Sequence, residues 1–373
     1  MTQKPPRLLS LDILRGFDLF MLVVFCPLLL LLNIDADWYR AVCTQFTHVT
    51  WAGFHVWDLV MPLFMFCSGV TIPFALSRYK NSAAPRSELF VRLAKRVALL
   101  WILGMVIQGN LLSFSLTDLK FFSNTLQAIA VGYLVASLAF VYLSKKASYV
   151  LAAVLLLSYW AAMTFVGGSD YGPTTNLAYR IDMSVMGGFR DGASIDAATG
   201  AVSYSGSYYY TWILSSLTFA VTVMGGMFAG AWLRVERFTG AQKAARLVIA
   251  GAVCVAVGWI WNLEMPVIKP IWTSSMTLVS SGYSLLLLAL FYYVIDVRGF
   301  QRGLGFLRVY GLNSIVAYVL GETPWIKAFC ISITSGLRHH TGDHYPLVVE
   351  VASVALIFWI LYIMYRNNKF LRV

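Results

Sequence analysis

Ten long apolar runs, separated by short polar stretches, dominate the pattern of hydrophobic and polar positions along the chain. A helix needs about 20 mostly apolar residues to cross a bilayer, so each run predicts one membrane-spanning helix. The runs cover residues 14–32, 56–76, 97–112, 126–143, 149–166, 212–233, 247–263, 274–295, 304–321 and 347–365. The apolar stretch KAFCISITSGL, within residues 322–345, is too short to cross, and we expect it outside the membrane.

The composition supports an integral membrane protein and excludes an ordinary soluble domain. Hydrophobic residues make up 59% of the 373 residues, charged residues only 12%, and the mean hydropathy is +0.71. Soluble domains carry roughly a quarter charged residues. Long runs with few charges favour helices over a β-barrel. We therefore predict an all-α integral membrane protein, a bundle of ten transmembrane helices that forms one domain over residues 1–373.

The net charge of +11 comes largely from Lys and Arg residues in alternate loops, which indicates orientation in a membrane rather than nucleic-acid binding. Loops rich in basic residues face the cytoplasm, so the pattern predicts that both termini are cytoplasmic and that the lipid bilayer surrounds the chain. This basic set comprises Lys4, Arg7, Arg78, Lys80, Arg86, Arg92, Lys95, Arg96, Lys145, Lys146, Arg234, Arg237, Lys243, Arg246, Arg298, Arg302, Arg366, Lys369 and Arg372.

Three longer loops fall on the opposite, outer side, at residues 33–54, 167–210 and 322–345. The second loop is rich in Gly, Ser, Tyr and Asp, and a connection of this length is usually functional or disordered. A folded cover over a substrate and a solvated connector are equally consistent with its sequence. The five cysteines form no CxxC pair, and the histidines show no persuasive ligand spacing, so we expect neither disulfides nor a metal site.

The stretch over residues 47–75 carries the strongest candidate chemistry. His48, His55 and Asp58 lie at the start of a predicted span, where a carboxylate is costly to bury and needs a partner or a wet cavity. Histidine is the side chain best suited to move protons near neutral pH, and a carboxylate that orients it forms a common base arrangement. From spacing alone, His55 fits that arrangement as well as His48 does. A hydrogen-bonded structural histidine is the simpler alternative.

Other polar residues within predicted spans mark either a cavity lining or hydrogen bonds between helices. Arg15 lies on one face of the first span together with Asp12 and Asp18. Gln127, Trp272, Ser274 and Asn313 occupy later spans or their ends. For any one of these four, an interhelical hydrogen bond is the more common role.

Two motifs in this chain resemble those of the heparan-α-glucosaminide N-acetyltransferase family, most closely its bacterial members. The pattern H-x-x-W-x-G-x-x-x-x-D-L-x-x-P-x-F is filled by His48, Trp51, Gly53, Asp58, Leu59, Pro62 and Phe64. It follows an S-L-D-x-L-R-G opening at Ser10, Leu11, Asp12, Leu14, Arg15 and Gly16. Further similar runs begin at Thr125, Met224, Ile271 and Gly311, so the resemblance extends over nearly the whole chain.

The resemblance implies a membrane-embedded acetyltransferase. It implies acetyl-CoA as the cytoplasmic donor and an amino sugar or glycan as the acceptor on the periplasmic side of a bacterial inner membrane. The catalytic histidine maps onto His48 and the carboxylate onto Asp58. We expect the donor near Arg15, Gln127, Trp272, Ser274 and Asn313. Trp51 and His55 are expected to contact the acceptor, and a homodimer is left open.

Two other functions stay open at this point. One is O-acylation of an envelope polysaccharide, and the other is proton-coupled transport of a small solute with His48 and Asp58 as the relay. The chain also departs from the family pattern at Cys26, at Ala128 and in the YYYTWILSS stretch that contains Tyr210. These departures concern the acceptor more than the acetyl donor.

Overall fold

The computed structural model describes residues 8–81, 85–196, 198–206 and 209–371, and its regular structure is almost entirely helical. Of the basic residues used for orientation, Lys4, Arg7 and Arg372 lie outside the described residues. The α-helices are α1 Leu9–Phe20, α2 Cys26–Leu31, α3 Asp37–Gln45, α4 Val60–Val70, α5 Ile72–Asn81, α6 Arg86–Ile107, α7 Thr125–Tyr142, α8 Lys145–Ala161, α9 Leu177–Met186, α10 Ser216–Leu233, α11 Gly240–Trp261, α12 Ser274–Phe291, α13 Gly305–Leu312, α14 Ser314–Glu322, α15 Pro324–Thr334, α16 Arg338–Thr341 and α17 Tyr345–Arg366.

A small antiparallel hairpin interrupts the helices. Its strands are β1 Ala193–Ile195 and β2 Val202–Tyr204, and Ser194 pairs with Ser203 at its centre. The prediction of an all-α protein is therefore confirmed, with this hairpin as a minor addition in the loop over residues 167–210.

Local sequence explains where several helices begin. At the start of α7, Asn124 Oδ1 accepts the Leu126 N–H at 2.8 Å, and Gln127 Oε1 accepts the Asn124 N–H at 3.1 Å. This reciprocal arrangement satisfies backbone donors that a helix cannot pair internally. Thr239 and Gln242 form the same arrangement at the start of α11.

The chain folds as two compact units. The first comprises Met1–His48, His55–Val60 and Leu287–Arg372, and the second comprises Val49–Phe54 and Met61–Leu286. In the first unit, α1 packs along α13, and α15 packs against α17. In the second unit, α7 packs against both α6 and α10. Each unit therefore has its own set of packed helices.

Eight segments of the described chain are long and apolar enough to span a membrane, which makes this a multi-pass membrane protein. This number is lower than the predicted ten for two reasons. Helix α6 carries five charged residues in its first three turns, so it is less apolar than the predicted run 97–112. The run 304–321 is divided into α13 and α14 at Asn313, whose φ of −120° and ψ of 41° interrupt the helix.

Candidate active site

The candidate site begins where α3 ends and the chain turns toward α4. A short 3-10 helix, Val56–Leu59, leads directly into α4, and Asp58 is the third of its four residues. Asp58 Oδ2 accepts the backbone N–H of His55 at 3.0 Å. An acidic residue at this position commonly caps a helix start, so one oxygen of Asp58 is fixed by local structure.

The other carboxylate oxygen of Asp58 holds His48. Asp58 Oδ1 lies 2.7 Å from His48 Nδ1, although ten residues separate the two in the chain. The Asp58 side chain is only 3% exposed, whereas the His48 side chain is 48% exposed. Burial of a carboxylate is costly without hydrogen bonds, and both oxygens of Asp58 have one. The arrangement fixes one nitrogen of the imidazole while leaving the ring accessible.

The structure distinguishes the two histidines that spacing alone left equivalent. His55 Nδ1 lies 2.9 Å from the backbone carbonyl oxygen of Thr47, so its ring is held by the main chain. The Asp58 carboxylate accepts the backbone N–H of His55. The carboxylate therefore orients the imidazole of His48 rather than that of His55.

This geometry defines which nitrogen of His48 can act as a base. A carboxylate acceptor at Nδ1 favours the neutral tautomer that carries its proton on Nδ1, which leaves the lone pair on Nε2. The same carboxylate stabilises the imidazolium formed when Nε2 takes a proton. The pair is chemically competent for general-base catalysis.

Trp57 is a neighbour of His48 that the sequence analysis did not single out. The two ring centroids lie 6.3 Å apart, with the planes tilted by 45°. Trp57 precedes Asp58 directly, so the residue that carries the carboxylate and the residue beside the imidazole are adjacent in sequence. An aromatic residue next to a motif carboxylate is the signal that would have identified it.

Trp51 lies in the second unit, in a segment that is held by backbone pairing. Ala52 forms a bridge with Ile268, and the Gly53 N–H donates to the Val267 carbonyl oxygen at 2.8 Å. Trp51 Nε1 donates to the Tyr171 carbonyl oxygen at 2.8 Å, and its ring packs edge-on against Tyr209 at 5.6 Å. Trp51 thus contacts both ends of the outer loop 167–210.

That outer loop is folded rather than a solvated connector. Asp182, on α9, accepts the backbone N–H groups of Trp212 and Ile213 at 2.7 and 3.0 Å. Burial raises the pKa of Asp182 to about 7, even though these two hydrogen bonds favour the charged form. The fully buried Arg190 donates to the Tyr210 carbonyl oxygen at 3.0 Å, which ties the middle of the loop to its end.

Lys120 fixes the same loop from another side. Its side chain is buried, and Nζ donates to the Gly188 carbonyl oxygen at 3.0 Å. Burial lowers the pKa of Lys120. The sequence alone did not predict buried roles for Lys120, Asp182 and Arg190, because isolated charges in a polar loop look like solvated surface residues.

Arg15 and Asn313 both lie in the first unit. Asn313 forms the helix break between α13 and α14, and Arg15 contacts the residue after it. The Arg15 guanidinium donates to Ser314 Oγ. Asn313 Nδ2 donates to the Lys369 carbonyl oxygen at 3.2 Å, and Asn313 Oδ1 accepts the Leu371 N–H at 3.1 Å. The Asn313 amide therefore holds the C-terminal segment.

The polar atoms of the other three expected donor-binding residues form hydrogen bonds within the second unit. Gln127 Nε2 donates to the Phe121 carbonyl oxygen at 2.7 Å, in addition to its capping bond. Trp272 Nε1 donates to Thr222 Oγ1 at 3.2 Å, and Ser274 Oγ donates to the Leu156 carbonyl oxygen at 2.8 Å. These contacts match the structural alternative that the sequence left open for each residue.

Within the described ranges, no group of three or more His, Cys, Asp or Glu side chains is arranged to hold a metal ion.

Fold and site together define a multi-pass helical membrane protein with an oriented His–Asp pair. A family model described as "Heparan-alpha-glucosaminide N-acetyltransferase, catalytic" matches residues 7–183, which include His48 and Asp58. This match confirms the resemblance that was inferred from the motifs.

Two curated relatives carry the same family name. Heparan-alpha-glucosaminide N-acetyltransferase of Homo sapiens is 25% identical over 99% of this chain, and that of Mus musculus is 24% identical over 98%. The chain spans 60% of the length of each relative. Both relatives are named as N-acetyltransferases, which is the enzyme class that the motifs led us to expect.

Proposed function

We propose that this protein transfers the acetyl group of acetyl-CoA to an amino sugar or glycan, with His48 as the catalytic group and Asp58 as the residue that orients it. The observation that carries the proposal is the 2.7 Å contact between Asp58 Oδ1 and His48 Nδ1. It is supported by the position of both residues inside the matched catalytic region of an N-acetyltransferase family.

The simplest mechanism is direct transfer. The acceptor amine attacks the thioester carbonyl carbon while Nε2 of His48 takes the amine proton, and the C–S bond then breaks to release CoA as its thiol. Asp58 stabilises the imidazolium during this step. A thioester is already activated, so an oriented base is sufficient to deprotonate the nucleophile.

A two-step route uses the same residues. Nε2 of His48 first attacks the thioester carbonyl carbon, and the C–S bond breaks so that CoA leaves as its thiolate. The acceptor amine then attacks the acetyl carbon, the bond between that carbon and Nε2 breaks, and the thiolate takes the proton that the amine releases. A single-turnover experiment with labelled acetyl-CoA and no acceptor distinguishes the two routes. A labelled acetyl-enzyme that is absent from His48→Ala supports the two-step route, and the absence of any adduct in the wild type supports direct transfer.

The proposal also assigns the donor and the acceptor to opposite sides of the membrane and to particular binding residues. The donor is assigned to the cytoplasmic side of a bacterial inner membrane and the acceptor to the periplasm, and the distribution of basic loops supports this orientation. Arg15 is the only cation in the expected donor set and is assigned to a phosphate of CoA. Gln127, Trp272, Ser274 and Asn313 would shape the donor site through the hydrogen bonds described above. Trp51 and His55 are assigned to the acceptor.

The test is a thiol-release screen of the purified protein with acetyl-CoA and a series of glucosamine-type acceptors. We expect free thiol only when acetyl-CoA and an acceptor with a free amine are both present. Release with sugars that offer only hydroxyl groups would replace the proposal with O-acyl transfer. Absence of acetyl-CoA binding, together with proton-coupled uptake in vesicles, would replace it with transport.

A further inference from the structure

A basic cleft lies in the second unit, at the end of its helices that carries the positively charged loops. Its volume is about 560 Å³, and it is lined by parts of α5, α8, α10 and α11 and by the connection between the last two. Six cations contribute to the lining: Lys80, Lys145, Arg234, Arg237, Lys243 and Arg246. No acidic residue of the described chain lines it.

Two of these cations are fixed by the ends of neighbouring helices. Lys80 Nζ donates to the carbonyl oxygens of Phe140 and Leu143, at 2.6 and 3.1 Å. Lys243 Nζ donates to the Leu233 carbonyl oxygen at 2.8 Å. A cation at a helix C-terminus is favourable, so both charges are held in place at the cleft.

Two arginines are brought close together by one aromatic ring. The guanidinium carbon of Arg246 lies 3.5 Å from the centroid of the Phe238 ring, and that of Arg237 lies 4.5 Å from it. Cation–π contact orients each guanidinium, but two like charges on one ring repel each other. An anion between or beside them would remove that repulsion.

The cleft cations differ from Arg78, a neighbour of Lys80 on α5, in their ion pairing. Arg78, on α5, forms an ion pair with Glu88. In the part of the chain that the structure describes, none of the six cleft cations forms an ion pair with a carboxylate. Orientation in the membrane requires positive loops, but it does not require cations from α5, α8, α11 and the α10–α11 connection to converge on one cleft.

Apolar and aromatic surfaces flank the cleft. Trp232 Nε1 donates to the Tyr149 hydroxyl at 3.0 Å, and the Tyr149 ring packs against Phe228 with centroids 4.2 Å apart and planes tilted by 32°. Trp and Tyr favour the interface between membrane and water. Next to them, α8 exposes Val150 and Val154, so the surface beside the cleft suits acyl chains.

We propose that this cleft binds the phosphate group of an anionic membrane phospholipid. Arginine and lysine side chains bind phosphate oxygens by charge-assisted hydrogen bonds, and an arginine pair suits a phosphodiester with a single negative charge. The adjoining apolar surface of α8 contacts the acyl chains. Soluble phosphates such as CoA share the headgroup chemistry but gain nothing from that apolar surface.

The test measures lipid binding by the purified full-length protein in detergent, using native mass spectrometry with phosphatidylglycerol and phosphatidylcholine. The double variant Arg237→Ala/Arg246→Ala should bind phosphatidylglycerol about 30-fold more weakly, since each cation near a membrane surface adds roughly a factor of five to the affinity for an anionic lipid. Arg298→Ala/Arg302→Ala removes two exposed arginines that do not line the cleft and should leave binding unchanged. Arg237→Lys/Arg246→Lys keeps the charge and should retain phosphatidylglycerol binding.

Three outcomes would overturn the proposal. One is equal binding of the two lipids by the wild type. Another is an equal loss of phosphatidylglycerol binding in the cleft and control double variants, which would indicate a general charge effect. The third is binding of inorganic phosphate or CoA by a protein that does not bind phosphatidylglycerol, which would assign the cleft to a soluble ligand. If the alanine variant does not fold, Arg237→Gln/Arg246→Gln removes the same two charges and should show the same loss of phosphatidylglycerol binding.

Discussion

Gly16 on α1 and Gly311 on α13 allow the two helices to touch backbone to backbone. A Cβ atom on Gly16 would lie 1.8 Å from the Leu307 carbonyl oxygen, and one on Gly311 would lie 1.7 Å from the Asp12 carbonyl oxygen. Both glycines belong to the sequence runs that resemble the family. Close helix packing therefore explains why glycine occupies these two positions, which in the sequence were only parts of motifs.

Gly16→Ala should destabilise the first unit. No flexible side chain can move away from the new methyl group, because its nearest neighbours are backbone atoms. Overpacking of this kind costs about 1–3 kcal/mol or more. Gly305→Ala is the matched control, since a Cβ there meets nothing within 4 Å. Thermal unfolding in detergent should show a lower midpoint for Gly16→Ala only, and equal midpoints would contradict the close contact.

Asp58→Asn should lower the rate of acetyl transfer by about 10²–10⁴-fold, the range typical for loss of general-base catalysis. The amide keeps the size of the side chain but cannot stabilise an imidazolium at His48. Asp35→Asn removes an equally charged side chain that is 94% exposed, and it should retain the wild-type rate. The measurement is thiol release at saturating acetyl-CoA. A full rate in a folded Asp58→Asn protein would exclude the orienting role.

Asp182 should make stability depend on pH. Its pKa in the fold is about 7, against an ordinary value of 3.8, so between these values the folded state binds more protons than the unfolded state. The free energy of unfolding contributed by this group therefore decreases as pH rises from about 4 to about 7. Asp182→Asn should remove that decrease, whereas the exposed Asp343→Asn should keep it. Melting midpoints measured across this pH interval provide the check, and identical slopes in all three proteins would contradict the assignment.

Removal of the β1–β2 hairpin should alter the choice of acceptor. The Ser205 N–H lies 2.7 Å from the Gly192 carbonyl oxygen, so deletion of residues 193–204 joins two points that are already close. The deletion retains Asp182 and Arg190, which hold the rest of the loop, and the loop contacts Trp51. We expect the ratio of kcat/KM between two acceptors to change by about tenfold. An unchanged acceptor profile in the deleted protein would show that the hairpin has no such role.

Much of the fold follows from hydrophobic pattern, because the length of an apolar run is a direct measure of its capacity to cross a bilayer. The hydrophobic pattern did not predict the helix break at Asn313. No proline marks that position, and the break is stabilised by hydrogen bonds to Lys369 and Leu371, far away in sequence. The hydrophobic pattern did not predict helix α15 either, because its apolar stretch alone is too short to cross a bilayer.

The candidate site was predictable in its residues but not in its pairing. The spacing of His55 and Asp58 suggested a contact along one helix face, yet the segment starts as a 3-10 helix in which Asp58 reaches the His55 backbone instead. The contact with His48 depends on the path of the chain between residues 48 and 55, which no local periodicity specifies. The hydrogen bonds that fix Trp272 and Ser274 depend on tertiary neighbours in the same way.

Thiol release by His48→Ala, measured with the best acceptor from the screen, tests the central claim most directly. The account predicts that release falls to the rate seen without protein while acetyl-CoA still binds, and that the exposed His344→Ala control keeps the wild-type rate. A folded His48→Ala protein that transfers acetyl groups as fast as the wild type would contradict the account.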